Sequence, residues 1–211
     1  MKPLNPAISD WHGHRVWLIG ASSGIGAALA EQLREAGAQL ALSARNESAL
    51  QEMAHQQDIV VPMDVTDAAL VARTCDQLIG TWGGIDMVIY CAGVYSPMRA
   101  WEIDLWLVDE TLRINLQGAY HLLAAILPHY LQRQSGGLCL LASVAGFSGL
   151  PQALAYGPSK AALINLAQVL YSDLSKSGIG VYLVNPGFVE TRLTQQNDFS
   201  MPALIAPEQA A

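Results

Sequence analysis

Between Arg15 and about Asn185, short apolar runs alternate with longer segments whose apolar residues fall at helical spacing. RVWLIG, AQLALSA, DIVVPMDV, IDMVIYCAG, GLCLLASVAG and IGVYLVNPG read as strands. GIGAALAEQLREAG, NESALQEMAHQ, TDAALVARTCDQLIGTWG, a long stretch from about Ile103 to Gln134, and LPQALAYGPSKAALINLAQVLYSDLSKSG read as the helices between them. Asn46 and Thr66 stand where helix caps are expected. Strands this continuously apolar belong to a parallel sheet covered on both faces. The chain is therefore expected to form a doubly wound parallel sheet, a Rossmann fold in three α/β/α layers. With no repeat, low-complexity tract or Pro/Ser-rich linker, one domain over residues 15–211 is expected, after an extension over residues 1–14.

Composition narrows the function classes. Of 211 residues, 52% are hydrophobic and 14% charged, so a large core is expected and disorder is not. The formal net charge is -7 and the eleven Lys and Arg are scattered singly, which argues against nucleic acid as a partner. Cys75, Cys91 and Cys139 show no paired spacing, which suits a reducing compartment, the cytoplasm, and no disulfide framework. No metal site is expected; His12 and His14 are close, but no further ligands accompany them. The N-terminal segment lacks the apolar core of a signal peptide. The run LLAAILPHYL from Leu122 is too short to span a bilayer and reads as a buried helix, or one at a subunit contact.

The chemistry concentrates at strand ends. The first strand runs into IGASSGIG, where Gly20, Gly24 and Gly26 permit a sharp turn and close backbone approach. The helix starting near Gly24 directs free amides and its positive dipole end at that loop, which suits a pyrophosphate. After the second strand, NAD enzymes usually carry Asp or Glu; this chain reads LSARN, with Arg45 there instead. A guanidinium can bind a 2′-phosphate through two parallel hydrogen bonds, which favours NADP over NAD. Asp64 after the third strand either accepts from the adenine amino group or caps the following helix. In YGPSK, Tyr156 and Lys160 are one helical turn apart and share a face. A free phenol has a pKa near ~10, and a neighbouring ammonium is expected to lower it. Ser143 ends the fifth strand, where doubly wound sheets place ligands, and its hydroxyl can hold a carbonyl oxygen while the tyrosine gives it a proton.

Taken together, these motifs resemble the short-chain dehydrogenase/reductase family in its single-domain branch. The resemblance runs from about Arg15 to Thr194 and is carried by IGASSGIG, CAG at Cys91 to Gly93, Asn115 in RINLQGAY, Ser143, Tyr156 with Lys160, and NPGFVETRL. Ile19 stands where the family usually has threonine, and Cys91 where it has asparagine. The resemblance implies a catalytic quartet. Tyr156 is its general acid or base; Lys160 tunes Tyr156 and binds the nicotinamide ribose. Ser143 polarises the substrate oxygen, and Asn115 holds a relay water. It implies a cofactor site of Gly20, Ser22, Ser23, Gly24, Ile25, Gly26, Arg45, Asp64, Val65, Cys91, Ala92, Gly93, Tyr156, Lys160, Pro186, Gly187, Val189 and Thr191. Thr191 and the backbone near Val189 would hold the nicotinamide carboxamide.

The expected function is NADP(H)-dependent interconversion of a carbonyl and an alcohol on a small, uncharged molecule. The alternatives are a non-catalytic dinucleotide-binding sensor or scaffold, and a nucleotide-sugar epimerase or dehydratase. Candidate pocket residues are Val94, Tyr95, Val144, Phe147, Pro186 and Phe188, with Arg99 or Arg192 as the available cations. Trp101 and Trp106 are expected in the core or at a subunit contact. The resemblance implies self-association, as a dimer or tetramer, through the long helix and the helix carrying Tyr156. It also implies a seventh strand. MPALIAPEQAA reads as a helix that has only begun, so the chain is expected to continue past Ala211, or this end to be covered.

Overall fold

In a computed structural model the described residues are Asn5 and 8–211; Met1 to Leu4, Pro6 and Ala7, within the expected N-terminal extension, lie outside them. The strands are β1 (Arg15–Ile19), β2 (Gln39–Ser43), β3 (Ile59–Val60), β4 (Met87–Tyr90), β5 (Gly136–Leu141) and β6 (Ile179–Val184). They form one parallel sheet in the order β3-β2-β1-β4-β5-β6. The helices are α1 (Gly24–Glu35), α2 (Glu47–Met53), α3 (Ala68–Trp82), α4 (Leu105–Leu112), α5 (Gly118–Arg133), α6 (Tyr156–Leu174) and α7 (Pro207–Ala210).

Alternation along the strands builds two cores. Val16 and Leu18 of β1 join Leu40, Leu42, Met87 and Ile89 against Ala30 and Leu33 of α1 and Leu50 of α2. Trp17 and Ile19 face the other way and pack with Val88, Tyr90, Leu138 and Leu140 against α3, α5 and α6. These side chains are essentially solvent-free, and each large one stabilises the fold by about 1.5–3 kcal/mol. The expected three-layer, single-domain Rossmann arrangement is therefore present. The trpytophan-bearing strand also anchors its neighbour: Trp17 Nε1 donates to Ser43 Oγ at 2.9 Å.

Several element boundaries differ from the sequence reading. The third strand keeps only Ile59–Val60 of DIVVPMDV. Beyond it Val61 N and Met63 N still donate to Leu42 O and Ala44 O at 3.0 and 2.9 Å, so Pro62 falls on the free edge, where no ladder bond is lost. Asp67, not Thr66, caps α3 and accepts from Leu70 N at 2.9 Å, while the Thr66 hydroxyl is drawn to Asp64 at 2.8 Å. The helix carrying Tyr156 starts at Tyr156 itself, with residues 151–155 in turns. Pro158 then falls in the first turn, where the backbone N–H has no intrahelical partner to lose. The long segment from Ile103 is α4 and α5 joined by a π-helical turn, Arg113–Gln117.

The tail folds back rather than standing free. Glu190 N donates to Ile205 O at 2.9 Å and Ile205 N to Phe188 O at 3.1 Å, which closes a loop. Gln32 Nε2 of α1 donates to Glu208 O at 2.8 Å. Trp101 and Trp106, 74% and 68% exposed, are not core residues. No helix among the described residues is long and apolar enough to cross a membrane.

Candidate active site

Strand order dictates where a ligand can sit. The chain winds from β1 through β2 to β3 on one side and from β4 through β5 to β6 on the other, so a crevice opens where the direction reverses, beside β1 and β4. A cavity of about 370 Å³ occupies it, lined by residues following the carboxyl ends of all six strands. Every residue expected in the cofactor site lines this cavity, from Gly20 to Thr191. Ser143, Tyr156 and Lys160 line it as well.

The glycine loop is fixed by the sheet beneath it. Gly20 N and Ala21 N donate to Ser43 O at 2.7 and 3.2 Å. Gly20 has a φ of +88°, and a Cβ there would lie 2.5 Å from Ala92 N. A Cβ on Gly26 would lie 2.1 Å from Gly20 O. Both glycines thus serve close packing of the loop on its own neighbours. At the start of α1, Ser23 makes no side-chain capping bond, whereas Asn46, Asp67 and Asp104 do cap α2, α3 and α4. The first amides of α1 therefore remain available to an anion in the cavity.

Elsewhere on the cavity wall, Arg45 and Asn46 follow β2, and Asp64 follows β3. The helix-cap reading of Asp64 needs revision, although its place on the cavity wall is as expected. Its Oδ1 accepts from Thr66 N and Thr66 Oγ1, each at 2.8 Å, so it organises the turn before α3 without capping the helix. Burial works to raise its pKa, but the Thr66 hydrogen bonds, then Arg45 and Arg113, hold it below the ordinary carboxylate value.

The four residues expected to be catalytic lie in one neighbourhood. Lys160, though 5% exposed, extends its Nζ to Leu141 O at 2.9 Å and lies 5.6 Å from the centroid of the Tyr156 ring. Burial pulls its pKa down to about 8, opposed by Cys91. The Tyr156 phenol does not follow the simple expectation of a lysine-lowered pKa. Burial raises it above its ordinary value, the Ser143 hydrogen bond opposes that, and the Tyr95 ring, 5.3 Å away edge to face, adds to the rise. Desolvation outweighs the Ser143 hydrogen bond. Asn115, fully buried in the π-helical turn, is outside the cavity wall. Its Oδ1 accepts from Val94 N at 2.8 Å, and its Nδ2 donates to Val94 O and Ser159 Oγ, both at 3.0 Å. Those bonds tie the loop after β4 to α6 and thereby position Lys160's helix.

A second, smaller cavity of about 70 Å³ adjoins the first. Ser143, Tyr156, Gly187, Leu193 and Thr194 line both. Tyr95, Val144 and Phe188 belong to it as expected, whereas Val94 and Pro186 line the larger cavity. Phe147 lines neither and is 65% exposed. Arg192 lines the larger cavity; Arg99 instead lies over the Trp101 ring at 5.6 Å. Sequence reasoning missed Thr194, Asn197 and Phe199, which a short 3₁₀ turn and the loop after it deliver without any periodic signal.

A doubly wound sheet with an anion-ready helix start and a Ser, Tyr and Lys at its carboxyl edge defines a dinucleotide-dependent enzyme. The chain belongs to the short chain dehydrogenase family, whose family model matches residues 14–200. It is 37% identical over 187 residues to an uncharacterized oxidoreductase of Staphylococcus epidermidis, covering 86% of this chain and 80% of that one. A short-chain type dehydrogenase/reductase from Mycobacterium marinum superposes with a TM-score of 0.87 at 28% identity, over 95% of this chain and 86% of that one. ElxO, solved with NADP bound, shares the fold with a TM-score of 0.85 at 21% identity, over 93% and 87% of the two chains. The protein is thus an oxidoreductase of the short-chain dehydrogenase/reductase type.

Proposed function

We propose that this enzyme interconverts a carbonyl and an alcohol on a small substrate with NADP(H), using Tyr156 as general acid and base. The carrying observation is that Ser143 and Tyr156 line both cavities at once. A group in the larger cavity and a molecule in the smaller one would meet at those two hydroxyls. The nicotinamide cofactor, when bound, supplies or takes the hydride. Its fit is supported by the uncapped start of α1 and by the length of the cavity, from Arg45 to Tyr156.

In the reducing direction Ser143 Oγ holds the substrate oxygen and the Tyr156 hydroxyl donates its proton to it. The raised phenol pKa keeps that proton on Tyr156 at neutral pH, which suits the acid role. Lys160 sets the charge beneath the ring and offers its remaining donors to ribose hydroxyls. Asn115 acts on this reading through position, and a relay water beside it is part of the proposal. Arg45 favours NADP as the guanidinium that follows β2 on the cavity wall, where the end of that strand contributes Ala44, Arg45 and Asn46 and no carboxylate. Exposed Trp106, Tyr120 and Val169 support association of copies of the chain, and its free thiols support a reducing compartment such as the cytoplasm.

The test is Tyr156→Phe. Ketone-dependent NADPH consumption is expected to fall by about a hundredfold or more while NADPH binding persists. Consumption near the wild-type rate would refute the role. Wild-type enzyme that binds NADPH and never consumes it would support a sensor, or an epimerase that restores its cofactor each cycle.

A further inference from the structure

Phe188 and Phe199 both line the smaller cavity, and their rings meet edge to face with centroids 6.0 Å apart. Neither ring belongs to the two cores that cover the sheet. Neither stands free on the surface: both are half-buried, against each other, on the cavity wall. Aromatic side chains carry large apolar areas that packing ordinarily consumes. These two leave theirs beside the chamber that Ser143 and Tyr156 also line.

The span that delivers Phe199 is latched on two sides. Gln152 Nε2, from the turns leading into Tyr156, donates to Asp198 Oδ1 at 2.6 Å. Gln196 Nε2 donates to Tyr95 O at 3.2 Å, and Asn197 N to Thr194 O at 3.0 Å. The backbone carrying the ring is therefore tied to the loops on either side of the reacting hydroxyls. Val144, Leu150 and Pro151 continue the apolar wall. Two of its polar side chains are spent elsewhere. Thr194 Oγ1 accepts from Thr191 N at 2.9 Å and donates to Val189 O at 2.6 Å, and the Asn197 amide oxygen is buried.

We propose that Phe199, backed by Phe188, determines substrate specificity by limiting the size and polarity of the arm beside the reacting carbonyl. The substrate class is then a short aliphatic ketone, or its secondary alcohol, with no polar group on that arm. At about 70 Å³ the chamber is far below the ~300 Å³ of ordinary small-molecule sites. A bulky arm would have to displace a packed ring pair, and a hydroxyl on the arm would lose its water against an apolar wall. This rests on the oxidoreductase reading above.

The experiment compares butanone with acetophenone, which carries phenyl in place of ethyl, and with hydroxyacetone, which carries a hydroxyl in place of the end methyl. Wild type, Phe199→Leu and Phe199→Ala are assayed with NADPH, whose binding is followed separately by fluorescence. Wild type is expected to favour butanone over each of the others in kcat/KM by about tenfold. Phe199→Ala is expected to raise the acetophenone-to-butanone ratio about tenfold or more, and Phe199→Leu by less, with NADPH binding kept in both. The intrinsic reactivities of the ketones cancel in that comparison between enzymes. An unchanged ratio in Phe199→Ala, or active wild type that does not favour butanone, overturns the inference and leaves the oxidoreductase reading standing. Loss of folding or of NADPH binding in both variants would show that Phe199 only braces the loop, and overturns it too. Wild type that binds NADPH and reduces none of the three ketones overturns the oxidoreductase reading itself, and this inference with it.

Discussion

At the residue scale, the cofactor choice is the sharpest question, and it turns on Arg45. Replacing Arg45 with Ala removes the guanidinium from the wall without disturbing a packed core. NADPH affinity is expected to fall by about tenfold to hundredfold, the range of a lost charge-assisted bond, with NADH changed about twofold at most. Equal losses in a fluorescence titration of both cofactors would defeat the preference. The place of Arg45 on the cavity wall was legible in the sequence because ligands gather at strand ends in this fold, and that of Tyr156 with Lys160 because a four-residue spacing shares a helix face. The fate of the phenol was not legible. Its pKa depends on how dry the pocket is, and burial is a sum over many elements that no local spacing encodes. The helix cap was misplaced for a related reason: Asp64 Oδ1 goes to the Thr66 turn, and Asp67 is left to cap α3.

At the element scale, the break between α4 and α5 has an identifiable cause. Tyr90 is fully buried, and its hydroxyl donates to Ile114 O at 2.6 Å. A Cβ on Gly118 would lie 2.3 Å from that hydroxyl, so glycine leaves it room. A side chain entering the helical ladder is one of the few known origins of such distortions. The hydrophobic pattern predicts one unbroken helix because a π turn shifts the face by a single residue and leaves the apolar spacing almost intact. The far end of α5 offers a test of how well these elements are finished. Gln134 caps it at a φ of 52°, a left-handed conformation that costs any side chain with a Cβ. It is exposed, and its side chain makes no hydrogen bond among the described residues. Gln134→Gly is expected to stabilise the protein by up to about 1 kcal/mol, a rise of roughly 2–4 °C in Tm. An unchanged or lower Tm in calorimetry would count against it.

For the whole molecule, chemistry and stability lie at opposite ends of the sheet. Where β1 and β4 begin, Arg15 grips Asp86 with two side-chain bonds, Nε to Oδ2 at 2.7 Å and Nη2 to Oδ1 at 2.6 Å. Arg133 of α5 adds a third at 3.2 Å. Burial alone would raise the Asp86 carboxyl, but these arginines hold it down, from an ordinary 3.8 to about 2. A depressed carboxylate stabilises the fold above its unfolded value and loses that contribution as pH falls through the folded one. Asp86→Asn should therefore cost about 1–2 kcal/mol at neutral pH, after allowance for partial exposure. In urea melts the gap from wild type should close between pH 4 and pH 2. A gap independent of pH would remove the ionic explanation.

At the other end, Leu193 and Thr194 belong to the walls of both chambers, and the span that carries them is pinned where Glu190 meets Ile205. Neither room can be reshaped alone. A tenant that presses this common ceiling upward alters the headroom next door, so selection for a new guest in the small chamber also rewrites the grip on whatever occupies the large one.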